Sequence, residues 1–370
     1  MSAHANPNII TDGLVFMYDT DDGKSYKGEP TTNVIAGTSL INTVAGTYTT
    51  NTTVDGVRIL ENNQVNNSHV MWNGATGFIV TCSAGAYVTV SAEYKTNCTI
   101  RMRFRDNPYD SQYDIDGGNI ATISEQSVDI DTDGEWKRYS LTAQTSTANP
   151  DLWWYMVDYR NNNEFGRVEI RNWQVEVKSH ATQFVDGTRS ATQGLLDRTG
   201  TSTINISNAS FDSNAQMTFD GTDDYLDCGD MGISSGKVTF AAWIKFSGSS
   251  TEHIIDASGN ACHLSILSGN KPYFYNGSTY HTGADAITNG VWYYLTGVQS
   301  DTNDIYINGV LSNSINSNVN ISVSTVNIGR WQSGGRYFNG DIASAQIYNR
   351  ALTAAEVLQN YNATKSRFGL

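Results

Sequence analysis

Pairs of carboxylates could hydrolyse a glycosidic bond, which requires an acid and a second carboxylate across the bond. Glu169 and Glu176 are seven positions apart, on opposite faces of a regular strand. The acids of the Asp-Ile-Asp-Thr-Asp run at 129–133 end in an Asp-Gly turn, as expected of a solvated strand edge. The six histidines form no His-Glu-x-x-His motif or triad. The sequence therefore predicts a protein that is not an enzyme.

Aromatic and arginine side chains suggest a second kind of chemistry, the binding of sugars. Aromatic faces stack on pyranose rings, while arginine and amide groups hydrogen-bond the hydroxyls. Segment 330–337, Arg-Trp-Gln-Ser-Gly-Gly-Arg-Tyr, places such groups in a glycine-rich turn between two strands. We expect carbohydrate contacts from Trp331, Arg336 and Tyr337, with Tyr275 as a further platform. A structural role for these side chains is the alternative.

The composition narrows the class of protein. Hydrophobic residues make up 39% of the 370 positions and charged residues 16%, with 33 glycines and 20 tyrosines. This is too aromatic for a disordered chain and suits short strands joined by Asn, Gly and Asp turns. The formal net charge of -14 would repel a phosphate backbone, so we expect no nucleic-acid partner.

Strand-like segments bounded by turn residues recur along the whole chain. Segment 304–310 contains Asn308-Gly309, the strongest short signal for a hairpin. The alternation of segment 168–177 breaks at Trp173, which predicts a β-bulge. Segment 353–356, Thr-Ala-Ala-Glu, has capping-box spacing before the single good helix candidate. The predicted fold class is all-β, with two β-sandwich (jelly-roll) domains and one short C-terminal helix.

The chain shows no signal for a membrane. No apolar run approaches the roughly 20 residues of a membrane span. The N-terminus, Met-Ser-Ala-His-Ala, lacks the basic and apolar regions of a signal peptide. We therefore expect that the protein folds in a reducing cytosol and does not insert into a membrane.

The C-terminal segments occur in a recognisable order. They read MTFDGTDDYL (217–226), FAAWIKF (240–246), IYINGV (305–310) and FNGDIASAQIYNRALTAAEV (338–357). In this order they resemble the laminin G-like, concanavalin A-like lectin superfamily, which implies a jelly roll. Such sandwiches often hold calcium at the rim of a sheet. The resemblance thus implies calcium as the one expected cofactor, with ligands Asp220, Asp223, Asp224 and Asp341; ordinary acidic turns are the alternative.

The opening strand of that family resembles GLVFMYD at 13–19, which here lies about 200 residues before Phe219 of the next expected hairpin. We therefore predict a discontinuous jelly roll, 8–30 plus 189–370, interrupted by a second β-sandwich at 31–188. The insert's last strand, WQVE (173–176), and its exit, TQFVDGTR (182–189), resemble a carbohydrate-binding module. Tandem domains after an unstructured leader are the alternative.

Several segments, among them NIITDGLVFMYD (8–19) and ALTAAEVLQNYNATKSRFGL (351–370), resemble virion proteins of tailed bacteriophages, especially cyanophages. The resemblance implies a non-enzymatic virion surface protein, a capsid decoration or tail appendage assembled in the host cytoplasm. Its expected partners are other virion proteins and host-surface glycans, and we expect a homo-oligomer, with a trimer as the form common in appendages. A purely architectural virion protein and an accessory carbohydrate-binding region of a polysaccharide-active bacterial protein are the alternatives.

Overall fold

A computed structural model describes residues 8–35, 50–62, 69–72, 80–81, 83, 85–98, 100–106, 127–130, 132–144, 151–158, 166–211, 217–257 and 262–370. The chain divides into two compact units. The first combines the segment that ends at Pro30 with Ser190–Leu370, and the second is Thr31–Arg189. Among the described residues, no helix is long and apolar enough to cross a bilayer.

The chain is built from β-strands joined by turns, and the prediction of an all-β fold with one short C-terminal helix is confirmed. The strands up to Arg189 are β1 (Leu14–Asp19), β2 (Thr31–Thr32), β3 (Thr50–Val54), β4 (Val57–Asn62), β5 (His69–Trp72), β6 (Val80–Thr81), β7 (Tyr87–Thr96), β8 (Ile100–Asp106), β9 (Ser127–Ile130), β10 (Lys137–Gln144), β11 (Asp151–Asp158), β12 (Gly166–Glu176) and β13 (Thr188–Arg189). The later strands are β14 (Asn205–Ser207), β15 (Ser210–Phe211), β16 (Met217–Asp220), β17 (Tyr225–Gly236), β18 (Val238–Phe246), β19 (Glu252–Ala257), β20 (Cys262–Leu267), β21 (Lys271–Tyr275), β22 (Tyr280–Thr282), β23 (Trp292–Gln299), β24 (Thr302–Ile307), β25 (Val310–Asn316), β26 (Ile321–Ile328) and β27 (Asn339–Tyr348). Helix α1 (Ala354–Thr364) follows, and a 3-10 turn at Lys365–Phe368 extends it.

The first unit is a sandwich of two antiparallel sheets. One sheet has eight strands. Seven of them follow the order β15-β16-β27-β18-β23-β24-β25, and the eighth, β1, pairs with β27. The other has seven, in the order β14-β17-β26-β19-β20-β21-β22. Their inner faces meet in an apolar core, where the rings of Phe240 and Phe274 lie 5.9 Å apart. A Cβ at Gly297 would lie 2.5 Å from the Phe274 ring, so only glycine allows this close approach.

Two turn features follow the local sequence. Asn308 and Gly309, which join β24 to β25, have φ values of 52° and 78°, as a type I′ hairpin turn requires. The register of β12 against β7 shifts between Arg171 and Gln174, and Asn172 has a φ of 52°. The bulge predicted at Trp173 is therefore confirmed.

Helix α1 begins with the predicted capping box, in which Thr353 and Glu356 satisfy each other's backbone N–H groups. Arg350 donates two hydrogen bonds, of 3.0 and 2.7 Å, to the Glu356 carboxylate. This ion pair lowers the pKa of Glu356 to about 2. The helix and the turn after it cover the outer face of the eight-stranded sheet, where Phe368 stacks on Trp243. The outer face of the seven-stranded sheet carries the cluster described below.

The second unit contains a five-stranded sheet, β10-β7-β12-β4-β3, and another in the order β5-β11-β8-β9 with β6 beside β11. A short ladder joins β2 to β13, the two ends of the unit. Beside this ladder lies the buried carboxylate of Glu176. It accepts hydrogen bonds from the hydroxyls of Thr31 and Thr182, each 2.6 Å, and from the Thr182 backbone N–H at 3.0 Å.

Candidate functional site

An irregularity in β19 determines which side chains reach the outer face of the seven-stranded sheet. Positions 253 and 256 would lie on opposite faces of a regular strand. The pairing of β19 with β20 shifts between His253 and Ile255, which inserts one extra residue. His253 and Asp256 consequently share the outer face, while Ile255 packs in the core.

Strand β20 adds a second histidine to this face. Asp256 pairs with His263, and His263 pairs in turn with Tyr275 of β21. The His253 and His263 rings lie 4.4 Å apart, and the Tyr275 ring stacks on His263 at 4.9 Å. The edge-on ring of Tyr273 at 5.3 Å fixes the plane of His263 from another side. The histidine pair is therefore held by packing on a rigid sheet.

Asp256 is the acceptor at the centre of this cluster, and its side chain is fully buried. Its Oδ2 lies 2.8 Å from His253 Nδ1, and its Oδ1 accepts the backbone N–H of Gln332 at 3.1 Å. His263 Nδ1 lies 3.6 Å from Oδ2. Burial, with smaller effects of His253 and Arg336, lowers the pKa of His263 to about 2, so this imidazole is neutral near pH 7.

The loop between β26 and β27 covers the cluster. Hydrogen bonds of 2.9 and 3.2 Å between Trp331, Gly334 and Gly335 close it, and the carbonyl of Arg336 accepts the His253 N–H at 3.1 Å. Arg336 has a φ of 49°, and its guanidinium lies over the Trp331 ring at 4.9 Å and 3.4 Å from His253 Nε2. An arginine is always a donor, so His253 Nε2 accepts its hydrogen bond. The proton of this imidazole therefore lies on Nδ1, which donates a hydrogen bond to Asp256.

A second arginine lies at the start of this loop. The Arg330 guanidinium lies 3.4 Å from the centre of the Tyr225 ring and donates to Asn327 Oδ1 at 3.3 Å. Asn327 pairs with Asp256 across β26 and β19. Two arginine–aromatic pairs therefore flank the histidine cluster on one face of the sheet.

The structure thus places three of the four predicted sugar-binding residues around one centre. Trp331 and Tyr275 lie against opposite members of the histidine pair, with ring distances of 6.4 and 4.9 Å, and Arg336 reaches His253. The fourth residue, Tyr337, lies half-buried in the same loop.

Comparison with known proteins identifies the fold of part of the chain. The family model of the Concanavalin A-like lectin/glucanases superfamily matches residues 220–358, less than half of the chain. The first unit, which contains these residues, is a concanavalin A-like lectin domain. No curated protein matches the chain.

Three solved structures are similar to part of the chain. Domain 4 of AbnA, an extracellular arabinanase from Geobacillus stearothermophilus solved with arabinotriose, is 19% identical over 46% of this chain and 93% of its own, with a TM-score of 0.37. A pentraxin from Limulus polyphemus is 23% identical over 39% and 79%, with a TM-score of 0.33. Botulinum neurotoxin type C, solved in work on its two ganglioside molecules, is 15% identical over 47% and 50%, with a TM-score of 0.36.

The acidic turn of the lectin-like domain brings together Asp220, Asp223 and Asp224, each offering an oxygen within 4.8 Å of the others. Asp220 Oδ1 accepts the N–H of Thr222 at 2.7 Å, and Asp224 Oδ2 accepts the N–H of Asp220 at 2.8 Å. Burial, opposed by that backbone hydrogen bond, raises the pKa of Asp224 to about 6.

The structure does not bring Asp341 into this group. Asp341 faces Thr218 across β16 and β27, accepts its hydroxyl at 2.9 Å, and forms an ion pair with Lys245 Nζ at 2.5 Å. A carboxylate that already balances a lysine is a poor calcium ligand. The structure therefore brings together three of the four carboxylates that the resemblance implied as calcium ligands.

Sequence reasoning missed His253, Asp256 and His263, because the histidines showed no motif. The sequence signal for these residues was that polar side chains interrupt the apolar strand segments EHIIDA and CHLSIL. Buried polar side chains in such strands need partners. The three-residue spacing of His253 and Asp256 predicts opposite faces of a strand, and the irregularity in β19 places them on the same face.

Proposed function

We propose that the lectin-like domain binds glycans, without catalysis, on the outer face of its seven-stranded sheet. The observation that carries this proposal is the grouping of Trp331, Arg336 and Tyr275 around the buried histidine pair. Aromatic faces for stacking and a guanidinium for hydroxyl groups are what sugar recognition requires. Because a sheet and a closed loop hold these groups, little side-chain entropy would be lost on binding.

The state of Asp256 supports binding rather than hydrolysis. Both of its oxygens are engaged, one with His253 and one with the Gln332 N–H. A retaining or inverting glycosidase requires two carboxylates, one of them free to move a proton. Within the described part of this cluster, Asp256 is the one carboxylate, and its role is to orient histidine.

Glycan binding is tested on an array with the full chain and single variants. Trp331→Ala and Arg336→Ala are each expected to weaken binding by about 2 kcal/mol, roughly 30-fold, as truncation of a central contact does. Tyr87→Ala is the control, because Tyr87 is 47% exposed and belongs to the unit Thr31–Arg189, outside the lectin-like domain. No bound glycan with or without calcium, or equal losses in the control, would contradict the proposal.

We further propose that Asp220, Asp223 and Asp224 hold a calcium ion beside this domain's rim. Hard oxygen ligands suit calcium, and one of the three carboxyls is kept protonated by burial up to about pH 6. A raised folded-state pKa contributes stability that is full below the unfolded pKa and is lost as the pH rises through about 6. Calcium displaces the same proton, so it should bind better above this pH.

Calcium affinity is therefore expected to increase roughly tenfold between about pH 5 and about pH 7, as Asp224 ionises. Calorimetric titration at both pH values measures this. Asp224→Asn, which keeps an acceptor for the Asp220 N–H, should abolish the pH dependence, whereas Asp341→Asn should leave it. A calcium affinity that is flat with pH in the wild type contradicts the proposal.

The location we propose is a virion surface, as a capsid decoration or tail appendage that contacts host-surface glycans. Support comes from the resemblance of segments 8–19 and 351–370 to tailed-phage virion proteins. The chain would assemble in the host cytoplasm with other virion proteins, as a homo-oligomer. Antibody labelling of purified virions under the electron microscope tests this, and unlabelled virions would favour an accessory region of a polysaccharide-active protein.

A further inference from the structure

We infer that His253, Asp256 and His263 form a binding site for one zinc-like transition-metal ion on the outer face of the seven-stranded sheet. Each offers one ligand atom, and these atoms lie within 4.8 Å of one another. All three residues are buried, the most exposed at 5%. Two imidazoles and one carboxylate are the ligand set of many three-residue zinc sites, whereas calcium prefers oxygen alone.

The strongest sign of a missing partner is His263 Nδ1. This atom is buried and makes no hydrogen bond to any described residue, although it faces Asp256 Oδ2 at 3.6 Å. If the nitrogen carries a proton, the distance is too long for a hydrogen bond. If it does not, two lone pairs face each other in a buried site, which costs free energy. A cation between the two atoms removes both difficulties.

The spacing of the atoms is close to that of a coordination sphere. With zinc bonds of about 2.1 Å, adjacent ligands of a tetrahedron lie roughly 3.4 Å apart. Asp256 Oδ2 lies 3.6 Å from His263 Nδ1 and 2.8 Å from His253 Nδ1. The second distance is shorter than the tetrahedral spacing, and a small rotation of His253 would widen it.

Groups around the cluster act as outer partners of the ligands. The Gln332 N–H holds Asp256 Oδ1 at 3.1 Å, so Oδ2, which faces both histidines, is the oxygen that would bind the metal. The rings of Tyr273 and Tyr275 fix the plane of His263. The fourth position of the tetrahedron remains for water or a ligand.

Metal binding would also change the contact of Arg336. When a metal takes Nδ1 of His253, the imidazole proton moves to Nε2, which then donates and no longer accepts from the guanidinium at 3.4 Å. Arg336, whose backbone carbonyl remains bonded to the His253 N–H, would turn its side chain toward solvent. The metal site does not depend on the proposed glycan binding, but metal binding would move the Arg336 guanidinium away from the Trp331 ring.

The full chain, stripped of metal with a chelator, is titrated with zinc by calorimetry and with cobalt by visible absorption. We expect one ion per chain and the intense ligand-field bands of a tetrahedral cobalt site. His263→Phe, which retains a ring against Tyr275, and Asp256→Asn should each weaken zinc binding at least about 100-fold. His281→Ala is the control, because His281 lies on the same sheet in β22, outside the cluster.

The outcomes separate this site from the acidic turn and from misfolding. Circular dichroism and thermal unfolding of His263→Phe establish that the variant folds, and Asp223→Asn should leave zinc binding unchanged. Absence of zinc and cobalt binding in the wild type, or zinc binding by His263→Phe within about threefold of the wild type, would overturn the inference. Either result leaves the glycan proposal standing, since that is tested by Trp331→Ala.

Discussion

Replacement of Trp243 by alanine is expected to destabilise the lectin-like domain by about 3–5 kcal/mol, the usual range for truncating a buried tryptophan. The indole is fully buried on the face of β18 that α1 covers. Phe368 stacks on it at 4.1 Å and Tyr294 packs at 5.4 Å. Its Nε1 donates to Thr364 Oγ1 at 2.7 Å. The variant therefore loses both the packing under α1 and the hydrogen bond that fastens the end of the helix.

Urea unfolding, followed by tryptophan fluorescence and by proteolysis near residues 349–353, measures this effect. Thr364→Val removes this acceptor together with the hydroxyl's own hydrogen bond to the Asn360 carbonyl, and it should cost about 1–3 kcal/mol, because it leaves the Trp243 donor unpaired. Trp331→Ala is the control, since this half-buried loop indole should contribute about 1 kcal/mol or less. If Trp243→Ala unfolds within 1 kcal/mol of the wild type (about fivefold in the folding equilibrium), the packing described for α1 is wrong.

Replacement of Glu176 by alanine is expected to destabilise the second unit by about 3 kcal/mol. Three donors from Thr31 and Thr182 lose their acceptor in a buried site, and hydrogen bonds to charged groups contribute about 1.5–3 kcal/mol each before desolvation is subtracted. Because these donors belong to the first and last segments of the unit, its two ends should loosen before its sheets do.

Hydrogen exchange at residues 31–35 and 182–189 measures the loosening directly. Glu169→Ala on the same strand is the matched control. Glu169 is partly exposed and forms an ion pair with Arg167, so its loss should cost about 1 kcal/mol or less. Equal exchange rates in the Glu176→Ala and Glu169→Ala variants would contradict a clamping role for Glu176.

Features specified by a few neighbouring residues could be predicted from the sequence. The turn at Asn308-Gly309 and the capping box of Thr353 and Glu356 depend on local backbone geometry, so their residue types suffice. The bulge at Trp173 was visible because it broke an alternating pattern.

The histidine cluster could not be predicted in this way. Nothing in the segment EHIIDA, which contains no glycine or proline, announces the extra residue that turns His253 and Asp256 to one face. Its third member comes from the next strand, and its cover comes from a loop about 80 residues later. The placement of Asp341 depended equally on a distant partner, Lys245, which no local pattern identifies.

The pairing of β1 with β27 has a consequence for synthesis on the ribosome. The hydroxyl of Tyr18 donates a hydrogen bond to the carbonyl of Ile342, which lies 324 positions later in the chain. At about 5–20 residues per second, β1 must wait roughly 15 to 65 s for its partner to emerge. The unit Thr31–Arg189 is complete long before then and can fold in the interval. The nascent lectin sandwich is thus expected to expose an unpaired apolar strand, Leu14–Asp19, for most of translation, and to rely on chaperones to keep that strand from aggregating.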